Sequence, residues 1–198
     1  MQLQETEQNV FPLSKTRSIR GNRRLVREKT LQILVAYYVS NTETNVLFNH
    51  IFYRDFLLDE EKKEETSENQ KLLSREEITE VLSDTLIDWK NEDIAFATSL
   101  MNHCLNNYEL IISLIKEISE NWEIDRIAPI DKTIIIMGAT ELINFPDIPI
   151  KATINEAIEL SKKYSSEKSP AFINGLLEKI KKHFLEKGLI NKSERGEK

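Results

Sequence analysis

Asp147-Ile148-Pro149-Ile150-Lys151-Ala152-Thr153-Ile154-Asn155-Glu156-Ala157-Ile158-Glu159-Leu160 reads as a turn that becomes a helix. Asp147 and Pro149 punctuate the chain, and proline is tolerated in a first helical turn, where its missing N–H had no partner to lose. From Ile150 the inner positions Ile154, Ala157, Ile158 and Ser161 return every three or four residues, the spacing of one helix face.

The same period extends in both directions. Downstream, Ser169-Pro170 is expected to be an N-cap followed by proline at N1. Ile173, Leu176, Leu177, Ile180 and Phe184 then form a stripe that Gly188 is placed to stop. Upstream, Ile134-Ile135-Ile136 favours a strand by local preference. The apolar set runs on through Met137, Ala139, Leu142 and Ile143, too long for a typical strand. A helix from Asp131 to Phe145, buried on most sides, fits better. Gly138 and Ala139 leave room for close helix packing.

Earlier segments carry the same rhythm. Asn22 is a good N-cap for a helix reaching about Val39. Asn45 to Leu58, Ser74 to Trp89 (opened by a Ser74/Glu77 capping box), Asp93 to Asn107 and Tyr108 to Trp122 complete the series. No strand pattern emerges. The expected fold is all-α, about seven helices, in one domain over residues 22–187. Residues 1–21 are expected to be a flexible arm, 59–73 an acidic loop and 188–198 a flexible tail.

Composition narrows the function. With 198 residues, 40% apolar and 30% charged, the chain is an ordinary globular protein with a sizeable core. No apolar run is long enough to span a membrane, and the N-terminus has no apolar signal core. The single cysteine, Cys104, rules out an intrachain disulfide framework and suits a reducing cytoplasm. The three histidines are too scattered to form a metal site, and no phosphate-cradling glycine loop is present. No cofactor and no catalytic residue is expected. Asp84 and Asp88, one turn apart, read as a solvated face.

The net charge of −6 hides an uneven distribution. Seven basic residues and one acid lie between Lys15 and Lys29, whereas fourteen acids face five bases between Asp55 and Asp93. Local clusters, and not the total, decide phosphate binding. On a helix, Arg20, Arg23, Arg24 and Arg27 fall within an arc of about 100°, and the same arc later carries Leu31, Leu34 and Tyr38. The front of the helix is thus expected to project while its back is buried. Cations at a helix N-terminus oppose the macrodipole, and a bound anion meeting both free N–H groups and arginines would relieve the conflict. The competing reading is a solvated face with Glu28 as partial counter-charge.

Two blocks together resemble the NusB family of RNA-binding transcription antitermination factors. The first is Arg23-Arg24-Leu25-Val26-Arg27-Glu28 leading into Leu31-Gln32-Ile33-Leu34. It departs from the family pattern at Val26, usually Ala, and at Val35, usually Tyr. The second comprises Asp131-Lys132, Glu141-Leu142, Asp147-Ile148-Pro149, Thr153 to Lys162 and Phe172-Ile173-Asn174-Gly175-Leu176-Leu177. Residues 40–122 match only in helical pattern.

The resemblance implies two packed helical bundles and binding of boxA-type single-stranded RNA. It implies a small-subunit ribosomal protein acting as NusE as partner, assembly with other Nus factors on RNA polymerase, and processive transcription of ribosomal RNA operons. By position, Arg23, Arg24 and Arg27 match the RNA-binding helix, and Asp147 and Lys151 flank the same groove. Arg20, just outside the helix if Asn22 is its cap, joins the RNA-binding candidates through its place in the basic arc. Asp147 has a second reading, capping the helix that starts near Ile150. Asn155 and Glu156 are expected to be structural, with Asn155 bonded to a neighbouring loop or helix end. Asn174 and Gly175 are expected where two helices touch, and Phe172 in the core. The protein partner's face is expected on the first helix's other side and on the helix 93–107. Two other readings remain: an all-α protein-interaction adaptor with an incidental basic arm, and a module related to the N-terminal domains of ribosomal RNA methyltransferases.

Overall fold

The computed structural model describes residues 18–54, 86–118 and 124–190. Seven α-helices lie among these residues: α1 (Arg23–Ser40), α2 (Thr44–Phe48), α3 (Asn91–Asn106), α4 (Tyr108–Ile118), α5 (Pro129–Asn144), α6 (Ile150–Tyr164) and α7 (Ser169–Glu186). A π-helical turn, Asn49–Tyr53, extends α2. The all-α expectation holds.

The Ile134-Ile135-Ile136 run is helical and lies in α5, where every residue from Thr133 to Leu142 is buried. Tertiary burial overrides the strand preference of β-branched residues. α5 packs against α1, α3, α4, α6 and α7, so it lies at the centre of the helix packing. Gly138 permits this crowding. A Cβ there would stand 3.0 and 3.1 Å from the two terminal methyls of Leu177. The expected close packing at Gly138 is thus observed.

Local chemistry sets the helix ends. The Asn22 side-chain oxygen accepts from the Arg24 and Leu25 N–H groups, each at 3.0 Å, and α1 begins. At the end of α7, Gly188 has φ +66°, its N–H bonds the Leu185 carbonyl, and Leu189 N–H bonds the Phe184 carbonyl. This is a Schellman termination, and a left-handed residue there favours glycine.

Several expectations are corrected. A short parallel pair exists, β1 (Ile19–Arg20) with β2 (Ile87–Asp88). Ile19 N–H donates to Leu86 O and Gly21 N–H to Asp88 O, both at 2.8 Å. Residues 18–21 are therefore tied to the body instead of belonging to a flexible arm, and a helix reaching Trp89 is excluded. Gly21 is buried, and a Cβ there would lie 2.5 Å from Trp89 Cε3, which explains why the chain can cross here. Two-residue strands carry too few side chains to show an alternating pattern, so the sequence gives no warning.

Ser169 is the first residue of α7 and not its cap; Lys168 holds the cap position. The Ser169 hydroxyl is spent on Asp131, donating to Oδ2 at 2.7 Å, while Ser165 donates to Oδ1 of the same carboxylate. Gly175 has nothing within 4 Å of an added Cβ and is exposed, as is Asn174. They are not at a helix contact. Phe172 is half-buried against the core. The expected helix from Ser74, the acidic loop 59–73 and the ends of the segments through Leu58 and Trp122 lie outside the described residues, as does most of the arm and tail. Among the described residues no helix is long and apolar enough to cross a membrane.

Candidate nucleic-acid interface

The basic end of α1 meets α3, α5 and α6, and each of its three arginines is held by a different one. Arg27 turns inward. Its Nε donates to Glu141 Oε2 at 2.7 Å, Nη2 to Glu141 Oε1 at 3.0 Å, and Nη1 to the Arg23 carbonyl at 3.2 Å. Thr153 of α6 donates its hydroxyl to Glu141 Oε1 at 2.7 Å. The Arg27 and Glu141 side chains are 9% and 3% exposed. One buried carboxylate at the end of α5 thus ties α1 to α6.

Arg23 turns toward α3. Its guanidinium carbon lies 4.1 Å from the centroid of the Phe96 ring, with Arg27 on the same ring at 5.3 Å. Phe96 is buried, and Phe145 packs edge-on against it at 5.2 Å. A planar cation over an aromatic face is favourable and leaves its N–H groups pointing outward.

Arg24 turns toward α6. Nε approaches Glu156 Oε1 and Oε2 at 3.3 and 3.2 Å, and Nη2 reaches Oε1 at 2.8 Å. Here the arginine is 62% exposed and the glutamate 19%. Hydrogen bonds and charge from Glu156 hold the Arg24 guanidinium further above its ordinary value. One turn along α1, Glu28 Oε1 accepts from Lys163 Nζ at 2.8 Å. Burial would raise the Glu28 carboxyl, but hydrogen bonds from Lys163 and Tyr164 outweigh it and hold the group below its ordinary range.

The remaining candidates are distributed around this junction. Arg20 is exposed in β1, three residues before Arg23. Lys151 and Asn155 are exposed one turn apart on α6, and Lys151 lies five residues, about 7.5 Å of helix, before Glu156. Asp147 is exposed in the preceding turn. The cap of α6 is Pro149, without a side-chain cap bond, so the structure shows no capping role for Asp147. Asn155 stands exposed on α6 instead of buried against a loop.

Two further expectations change. Arg27 is buried and fully engaged, which makes it a brace behind the surface and not part of it. The start of α1 is also no open anion cradle. Asn22 takes two of its free N–H groups, and Val26 N–H bonds the Asn22 carbonyl at 2.9 Å. Any anion at this end meets side chains.

The bracing roles of Glu141, Thr153, Phe96 and Lys163 are not legible as such in the sequence, nor is the pairing of Glu156 with Arg24. One of these contacts, Arg27–Glu141, leaves a signal at both its ends. Arg27 continues the Leu31, Leu34, Tyr38 stripe, and Glu141 is an acid at the end of an otherwise apolar run. A charge in each of two buried stripes calls for a partner. The cation over Phe96 left none.

Among the described residues no group of three or more His, Cys, Asp or Glu could hold a metal. Cys104 is fully buried, and burial pushes its thiol up to about 12, so no thiolate forms there near neutrality.

Known proteins resemble this chain closely. The NusB family profile matches residues 24–182. A transcription antitermination protein NusB from Clostridium kluyveri is 31% identical over 167 residues, covering 81% of this chain and 99% of its own. One of the same name from Geotalea daltonii is 47% identical over 98 residues, 50% of this chain and 68% of its own. Among solved structures, one of antitermination factors NusB and NusE in complex with double-stranded RNA superposes with TM-score 0.58 at 20% identity, over 81% of this chain and 96% of that one. At that identity the likeness speaks for the fold.

Proposed function

The chain belongs to the NusB family, and from that premise we propose that it is an RNA-binding transcription antitermination factor without enzymatic activity. It takes up boxA-type single-stranded RNA jointly with a small-subunit ribosomal protein acting as NusE. With other Nus factors on RNA polymerase it favours processive transcription of ribosomal RNA operons. It works in the cytoplasm. The observation that carries the reading is the set of exposed cations at one helix junction: Arg20, Arg23 and Arg24 around the start of α1, with Lys151 on the neighbouring α6. Arg24 and Lys151 lie within the matched region, and Arg23 immediately precedes it.

The mechanism is recognition. Arg23, steadied on Phe96, and Arg20 meet phosphates as charges, and single-stranded bases stack or hydrogen-bond beside them. Arg27 and Glu141 hold α1 in place against α5 and α6. Asp147 accepts from base amino groups or orients a cation at the rim of the groove. The NusE-type partner sits on the other side of α1 and the outer face of α3.

The test is fluorescence anisotropy with a boxA-type RNA, with and without the ribosomal partner, at two salt concentrations. The comparison variant is Arg20→Glu/Arg23→Glu, because changing Arg27 would damage the fold. Partner-enhanced binding that weakens with salt is expected. The variant should bind weakly and lose about 0.7 from the salt slope for each phosphate contact removed. Absence of binding under all conditions would leave a helical adaptor.

A further inference from the structure

We propose that Glu156 is a positioning residue that turns Arg24 from a phosphate contact into a reader of a guanine edge; this deepens the RNA-binding reading above and rests on it. A guanidinium has two edges able to make paired hydrogen bonds. Glu156 occupies the inner one, with Nε at 3.2 and 3.3 Å and Nη2 at 2.8 Å. The outer edge, Nη1 and the second N–H of Nη2, is directed away from Glu156 on a side chain that is 62% exposed. The carboxylate is itself only 19% exposed, on a helix locked to α1 by the neighbouring Glu28–Lys163 pair and by the Arg27–Glu141–Thr153 network. Arg24 is thereby aimed by a rigid support, whereas an unsupported arginine would sample many rotamers.

The electrostatics select the ligand atom. Glu156 cancels the charge of Arg24 at contact distance, and Glu159 adds a second carboxylate to its surroundings. A neutralised arginine gains little from phosphate, whose binding is driven by net charge and counterion release. Its directional donors remain. Two parallel N–H groups match the adjacent O6 and N7 acceptors of guanine, and such a pair discriminates between bases. Arg23, which rests on a neutral ring and so keeps its full positive charge, is left to the phosphates.

The experiment compares wild type, Glu156→Ala and Glu156→Gln on a guanine-containing boxA-type RNA and on the same RNA with each guanine replaced in turn by 7-deazaguanine, which lacks the N7 acceptor. Circular dichroism melts confirm that the variants fold. Wild type should lose about tenfold at one guanine position. Glu156→Ala should bind both RNAs alike, with no loss on the 7-deaza RNA because a negative charge has gone. Glu156→Gln, which keeps one acceptor oxygen, should restore part of the discrimination. A Glu156→Ala protein that discriminates as well as wild type would overturn the inference, as would a wild type indifferent to 7-deazaguanine at every position. Both results would leave RNA binding standing. Absence of RNA binding by wild type would remove the functional reading and this inference together.

Discussion

Arg24 and Arg27 stand three residues apart on one helix, each bonded by a glutamate, and the two pairs do different work. Arg27–Glu141 is sealed behind α1, with both side chains under a tenth exposed. Arg24–Glu156 lies at the rim, with the arginine open to solvent. In the interior, desolvation makes each charge dependent on the other. At the rim water screens both, so the pair adds little to stability and can be spent on geometry. Burial, and not pairing, separates brace from reader.

The largest effect expected from this contrast comes from Glu141→Ala. It strands Arg27 among apolar neighbours and should cost about 3–5 kcal/mol, measured by urea unfolding. Replacing both partners, Arg27→Met with Glu141→Leu, should recover most of that loss, because matched apolar side chains need no compensation. A double variant as unstable as the single one would break the distinction.

What the sequence made legible follows the same division. The helix series from Asp131 to Phe184 could be read because buried stripes repeat over many residues and the Asp147–Pro149 turn and Gly188 punctuate them. The identity of the basic end was equally readable, since seven bases cluster between Lys15 and Lys29. The orientation of each arginine was not. An arc of 100° contains both the inward Arg27 and the outward Arg24, and only the neighbours on α3, α5 and α6 decide between them. The β1–β2 pair was illegible because it joins residues 19–20 to 87–88 through backbone bonds that leave no side-chain pattern.

A smaller effect is expected from Thr153→Val, which removes the hydroxyl donated to Glu141 and leaves a lone pair of a buried carboxylate unsatisfied. A loss of about 1–3 kcal/mol is expected, again by urea unfolding, with RNA affinity unchanged once the protein is folded. Affinity falling in step would mean that the brace reaches the surface.

The smallest effect is a pH dependence at the Glu28–Lys163 crossing. Because the folded-state value of Glu28 is depressed, its contribution is complete above the unfolded value, about 4.3, and disappears as pH falls through the folded one. Glu28→Gln should therefore lower stability slightly at neutral pH, flatten the acid limb of the stability curve, and converge with wild type as pH falls below about 4.3. A difference from wild type that persisted or grew in acid would contradict the assigned pairing.

The most direct measurement sets Arg24→Gln beside Arg27→Gln, each assayed for melting temperature and for affinity toward a boxA-type RNA in the presence of its ribosomal partner. Arg24→Gln should melt with wild type and bind RNA poorly. Arg27→Gln should melt about 10 °C lower, the shift that a loss of a few kcal/mol gives in a domain of this size, yet retain RNA binding at temperatures where it is folded. Equal losses of stability, or an RNA defect confined to Arg27→Gln, would contradict the separation of brace from reader.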